Sequence, residues 1–190
     1  YSLYSLDLNY RKQIHEALHE VLTPIFKDRF ENYKSVINSF IVKYDGEHSA
    51  FTLHQDSTSL DEQLHSPLSV WIPLQDTDLT NGCLCVVPKS HRIFYPYRGI
   101  SFTTPFDKIQ DTVRKYLQPI PMKAGDILLF DNRLVHYSHT NESSQPRLVV
   151  MSGLFPKEAD IQNCFLDTQT ENAPLEIYQQ EEDFLLTNTT

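Results

Sequence analysis

The sequence predicts a mainly β fold, a jelly roll with one packing helix on its N-terminal side. Three observations carry that prediction. Short runs of β-branched and aromatic residues recur along most of the chain, turn residues punctuate them, and one long amphipathic stripe precedes them. The stripe runs from about Tyr10 to Tyr33, with Ile14, Leu18, Val21, Leu22, Ile25, Phe26 and Phe30 on one side and charges on the other. Pro24 is placed to bend or split this helix.

The strands follow in order. A first runs from about Ser35 to Tyr44 and stops at an Asp45-Gly46 turn. FTLHQD covers 51–56, SVWIPLQ covers 69–75, and CLCVV covers 83–87 after an Asn81-Gly82 turn. DILLF at 126–130 follows the Ala124-Gly125 break, then LVHYSH at 134–139 and RLVVMSGLF at 147–155. An insertion over 93–118 interrupts the rhythm, and PFDKIQDTVRKYL within it reads as a short helix. The polar, acidic tail from 157 to 190 has no clear periodicity and reads as a surface wrap. No repeat or linker divides the chain, so 1–190 reads as one domain: a helical part over 10–33, a β core over about 35–156, and the tail.

Composition narrows the function. A formal net charge of −9 argues against a nucleic-acid partner, which needs clustered Lys and Arg. No stretch approaches the roughly 18 apolar residues of a membrane span, and no signal-peptide pattern opens the chain. The chain begins with Tyr1, not Met, which leaves the natural N-terminus open. Cys83, Cys85 and Cys164 are odd in number and lack zinc-ribbon spacing, so reduced thiols in a cytoplasmic protein are expected. The expected partner is a small molecule; oligomeric state is not readable.

The chemistry starts at His54-Gln55-Asp56. On a strand, residues two apart share a face, so an imidazole and a carboxylate project together. A second imidazole from another strand, His136, completes a two-His-one-carboxylate triad, which leaves positions open on Fe(II). Arg147 lies eleven residues beyond His136, at the start of the next strand. An antiparallel return after a turn over Asn141–Pro146 brings it back towards His136, where its guanidinium can grip a carboxylate. Ser138 shares the face of His136 and offers a hydroxyl to the same carboxylate.

The segments HQD at 54–56, NGCLCVVPKSH at 81–91 and AGDILLFDNRLVHYSHTN at 124–141, with Arg147, resemble the phytanoyl-CoA dioxygenase family over roughly Ser35 to Pro156. The resemblance implies a cupin-like double-stranded β-helix using Fe(II), 2-oxoglutarate and dioxygen. It implies His54, Asp56 and His136 as metal ligands, Arg147 and Ser138 on 2-oxoglutarate, and Trp71 lining the cosubstrate pocket. Because Asp56 is retained where related halogenases have a small residue, it implies hydroxylation of an acyl-CoA, amino acid or natural product, releasing succinate and carbon dioxide.

Other histidines fall outside this set. His139 falls on the face opposite His136, and His91 suits a structural turn. His48, just before the metal strand, is either a substrate contact or a solvated loop residue. His15-Glu16-Ala17-Leu18-His19 matches the HExxH of zinc peptidases, but Leu22 stands where the metzincin continuation needs glycine, and Glu31 is on the same helix. A zinc hydrolase and a non-catalytic metal-binding jelly roll are the rival readings. Finally, RIFYPYRGISFTTPF over 92–106 reads either as a lid, with Tyr97 and Arg98 (or Arg92) meeting the substrate, or as aromatics packed in a satellite core beneath the loop.

Overall fold

The computed structural model describes residues 2–93, 97–99, 106, 108–167, 170 and 173–181; the side chain of His48 is outside that description. Helix α1 (Leu8–Lys27) begins where the Asp7 carboxylate accepts the Tyr10 N–H at 3.1 Å. That contact satisfies one of the donors a helix start leaves open. The helix stops short of the expected Tyr33, because after Asp28 the chain turns into strand β1. Pro24 lies within it, without splitting it. Leu18, Leu22 and Phe26, each four apart, bury the stripe, whereas Val21 is 62% exposed and outside it.

The strands are β1 (Tyr33–Lys43), β2 (Phe51–His54), β3 (Leu68–Pro73), β4 (Leu84–Val86), β5 (Gln118–Ile120), β6 (Leu128–Asp131), β7 (His136–Ser138), β8 (Arg147–Pro156), β9 (Gln162–Leu166) and β10 (Leu175–Gln179). They form two four-stranded sheets, β1-β8-β3-β6 and β2-β7-β4-β5, and a separate β9-β10 hairpin. All the strand pairings are antiparallel. This is the double-stranded β-helix.

Alternation along β8 shows how the first sheet is used on both faces. Val150 and Leu154 pack outwards against Leu18, Leu22 and Phe26 of α1. Arg147, Met151 and Phe155 face inwards onto a cavity. The interior between the sheets is filled by Ile41, Trp71, Leu84, Val86, Met122 and Val149. Leu53, Cys85, Val135 and Tyr137 form a further cluster with Phe106.

Three expectations need revision. The strand read over 51–56 ends at His54, and beyond it the Asp56 N–H turns to the Asn132 carbonyl at 2.9 Å. Among the described residues the insertion holds a shorter helix than expected, α2 (Gln110–Arg114), followed by the unexpected strand β5. Strand β5 sits at a sheet edge, where Pro119 is tolerated. The tail is not only a wrap, because it contains the β9-β10 hairpin. The lid expected over 92–106 lies mostly outside the described residues, at 94–96 and 100–105. Of its aromatics, Phe106 is buried in the Leu53 cluster, and Tyr97 is half-buried.

Candidate metal centre

His54 closes strand β2 and His136 opens β7, and the two are directly opposed in the ladder between these strands. Their rings lie 4.1 Å apart, centroid to centroid. Each Nδ1 is 2.7–2.8 Å from a backbone carbonyl, Thr52 for His54 and Leu134 for His136. A carbonyl only accepts, so each Nδ1 carries the proton and each Nε2 presents its lone pair. Both Nε2 atoms face Asp56 Oδ1, at 3.7 Å from His54 and 3.6 Å from His136. The three ligand atoms lie within 4.8 Å of one another, and no other group of three such residues is found among the described residues.

Asp56 is held for this task. Its second oxygen, Oδ2, accepts a hydrogen bond from Ser69 Oγ at 2.6 Å, and that hydroxyl is 2.9 Å from the Asn132 side-chain amide. Oδ1 is thereby turned to the histidines. Burial, and then the neighbouring His136, pull His54 down to about 4, against the opposing pull of Asp56. A neutral imidazole is the form that binds metal. The donor set therefore fits a divalent cation: two imidazole nitrogens and one carboxylate oxygen converge, with the remaining hydrogen-bonding atoms already engaged.

A cavity of about 630 Å³ opens from the triad. Ser138, Trp71 and Arg147 line it beside His54, Asp56 and His136. Arg147 does not arrive as expected. Strand β7 belongs to one sheet and β8 to the other, so residues between them cross the fold instead of forming a hairpin. A crossing is required because β7 is already flanked by β2 and β4, which leaves no free edge. Arg147 is buried, its guanidinium carbon 5.3 Å from the centre of the Trp71 ring, and it donates to the Gly82 carbonyl. Lys43 pairs with Arg147 across β1 and β8 and donates to Ser138 Oγ at 2.8 Å. A guanidinium, a hydroxyl and an indole thus meet in the cavity, with Lys43 bonded to the hydroxyl.

Sequence reading missed Lys43, Ser69 and Asn132. A signal existed for Ser69, which shares the inner face of its strand with Trp71; none existed for the others. Among the expected substrate residues, Tyr97 is half-buried, and Arg98 lies in the cavity wall with its guanidinium on Glu62 at 2.6 and 2.8 Å. His15 and His19 stack on α1 at 5.8 Å, and among the described residues no third ligand joins them. The described residues give the zinc-hydrolase reading no three-ligand site.

A double-stranded β-helix with two histidines and one carboxylate lining its cavity defines a jelly-roll protein with a candidate metal site. The chain belongs to the phytanoyl-CoA dioxygenase (PhyH) family, whose model matches residues 6–149. It is 30% identical over 155 residues to the phytanoyl-CoA dioxygenase of Arabidopsis thaliana, covering 71% of this chain and 53% of that protein. An ectoine dioxygenase of Nocardia farcinica is 29% identical over 135 residues, 62% of this chain and 43% of the relative. The chain thus spans about half the length of the curated relatives it matches. In fold it resembles HygX from Streptomyces hygroscopicus, solved with nickel, 2-oxoglutarate and hygromycin B, with a TM-score of 0.55 and 18% identity over 79% of this chain and 66% of that one.

Proposed function

We propose that this chain is an Fe(II)- and 2-oxoglutarate-dependent dioxygenase that hydroxylates a small molecule. The observation that carries the reading is the meeting, in one cavity, of the triad with Arg147, Ser138 and Trp71. His54, Asp56 and His136 would hold the iron. Arg147, assisted by Ser138 and by Lys43, would hold the distal carboxylate of 2-oxoglutarate, with Trp71 as the wall beside it. When bound, iron and 2-oxoglutarate supply oxidation of a C–H bond by dioxygen, with succinate and carbon dioxide as coproducts.

The protein's own contribution is orientation and dryness. The two Nδ1–H···O=C bonds keep the imidazoles in one tautomer, and Ser69 keeps the carboxylate turned. Ile41, Leu84, Phe130 and Met151 line the cavity with apolar surface and limit water near the reacting centre. A cavity of about 630 Å³ suits a small molecule. The substrate contacts read from sequence, His48, Tyr97 and Arg98, remain proposals. The pairing of Arg98 with Glu62 makes it a wall residue more than an anion receptor. No helix among the described residues is long and apolar enough to cross a membrane. Three buried free thiols suit the cytoplasm.

The test is anaerobic titration with Fe(II) and 2-oxoglutarate, followed by succinate analysis on admitting air. His54→Ala, Asp56→Ala and His136→Ala should each lose iron binding and succinate formation, and His15→Ala should change neither. Iron and 2-oxoglutarate binding without succinate, across a broad metabolite panel, would favour the non-catalytic jelly roll.

A further inference from the structure

Of the triad, Asp56 is the member that no strand holds, because β2 ends at His54. Its geometry has to be imposed from elsewhere, and three contacts do so. The Asn132 carbonyl fixes its N–H at 2.9 Å, Ser69 fixes its carboxylate at 2.6 Å, and Arg98 Nε donates to its backbone carbonyl at 2.7 Å. These act on the N-terminal side, the side chain and the C-terminal side of the residue, so backbone and rotamer are all restrained.

The third contact is the unusual one. Arg98 comes from a segment 42 positions further along the chain, yet it is tied to the stretch around Asp56 in several ways. Its Nη1 and Nη2 both donate to Glu62, at 2.8 and 2.6 Å, and the side chains of the pair are 6% and 1% exposed. Its N–H donates to Thr58 Oγ1 at 3.0 Å, and the Thr58 N–H donates back to the Arg98 carbonyl at 2.9 Å. A guanidinium is planar, so once its two terminal nitrogens are locked on Glu62 the direction of Nε–H is fixed as well. The Asp56 carbonyl lies along that direction.

A buried ion pair is weak evidence for stability, since apolar replacements of similar volume are often neutral or stabilising. A geometric role explains better why an arginine is spent here. We propose that Arg98 is a positioning residue for the metal-ligating carboxylate, with Glu62 as the clamp that aims it. Its third anchor, the Asp56 carbonyl, links the cavity wall to the metal. The inference rests on the metal reading of His54, Asp56 and His136 given above.

The experiment is Co(II) titration of the full metal-free chain, read by affinity and by the visible spectrum of the bound ion, with thermal melting in parallel. The variants are Arg98→Lys, the double variant Arg98→Met/Glu62→Leu, Glu62→Gln and, as reference, Asp56→Ala. The double variant removes both charges together and should melt near the wild type. Its Co(II) affinity should nonetheless fall by on the order of ten- to a hundredfold, as for lost outer-shell partners, with a shifted spectrum. Arg98→Lys should behave alike, because an ammonium lacks the fork. Unchanged affinity and spectrum in these variants, whatever their melting temperature, would show a purely structural ion pair and overturn the proposal. Glu62→Gln preserves one acceptor oxygen and the volume; should the others not fold, an unaltered spectrum in this variant would be equally fatal. If Asp56→Ala bound Co(II) like the wild type, the metal reading itself would fall, a result distinct from failure of the Arg98 variants alone.

Discussion

Lys43 and Arg147 are directly opposed on neighbouring strands, both buried, with their charges on the same side of the sheet. Two cations so placed repel each other unless an anion lies between them or near them. Burial and then Arg147 pull Lys43 down to about 7, against weaker opposing pulls from Cys85 and Cys83. The dicarboxylate proposed for this pocket would offset that repulsion.

A pH dependence follows from that value. In the unfolded chain Lys43 keeps its ordinary value of 10.5, so between about 7 and 10.5 the unfolded state binds more protons than the folded one. Stability from this residue therefore rises with pH across that window, and the cost of burying the charge is fully present below it. Lys43→Met should flatten this part of a melting-temperature profile. Bound 2-oxoglutarate should also raise Lys43 again, so calorimetry at pH 8 in buffers of different ionisation heat should show proton uptake on binding. Equal heats in all buffers would remove Lys43 from the cosubstrate site.

Arg147 is the stronger half of the pair, since its planar fork matches a carboxylate. Arg147→Ala should raise the 2-oxoglutarate requirement by about 2–3 kcal/mol, the value of a charge-assisted hydrogen bond. That corresponds to roughly thirty- to a hundred-and-fiftyfold in concentration. Arg147→Lys should recover little, because an ammonium has no fork and loses the contact with the Trp71 ring. Wild-type 2-oxoglutarate affinity in both variants would put the anchor elsewhere.

The hairpin β9-β10 gives a third prediction. Asn163 faces Tyr178, and Phe165 faces Glu176, in its register, and all four line the cavity. Phe165 and Tyr178 are about half exposed, at 47% and 48%. Cavity-wall residues outside the triad should govern which substrate is accepted and leave the iron site unaffected. Phe165→Ala and Tyr178→Ala are expected to lower hydroxylation coupled to substrate, while slow succinate formation without substrate continues. Loss of both together, with lower iron affinity, would assign the hairpin to the stability of the site instead.

Legibility in the sequence followed the range of the interactions. His54 and His136 were legible chiefly through the resemblance of HQD at 54–56 and of the 124–141 segment to a known family, and the helix through its stripe. Asp56 was expected on a strand face, yet it lies beyond the strand end and is aimed by Ser69, Asn132 and Arg98. Lys43 is invisible from its surroundings, because its neighbour Arg147 is set by the pairing of β1 with β8 across more than half the chain. The route of Arg147 was misread for the same reason: sheet membership is decided by all strands together. The β9-β10 hairpin lacked a signal because its residues alternate little in polarity, with most of β10 exposed.

The last prediction concerns Gly82, in the Asn81-Gly82 turn before β4. Its φ is +74°, in the left-handed region that glycine enters without a steric penalty. An added Cβ would also lie 2.6 Å from the His139 carbonyl and 3.1 Å from Cδ of Lys43. The first neighbour is backbone and cannot swing away, so the turn itself must move. That turn carries the carbonyl to which Arg147 donates, and its displacement reaches the anion pocket from behind. Gly82→Ala should therefore do two things at once. It should lower stability by about 1–2 kcal/mol from the left-handed backbone alone, and by more from the contact with His139. It should also weaken 2-oxoglutarate binding, while Co(II) affinity at His54, Asp56 and His136 stays near wild type. Gly125 is the control, since its φ is +86° but a Cβ there meets nothing within 4 Å. Gly125→Ala should show the stability loss without the loss of cosubstrate affinity. If the two variants weakened 2-oxoglutarate equally, the effect would be general destabilisation, and the link from Gly82 to Arg147 would be wrong.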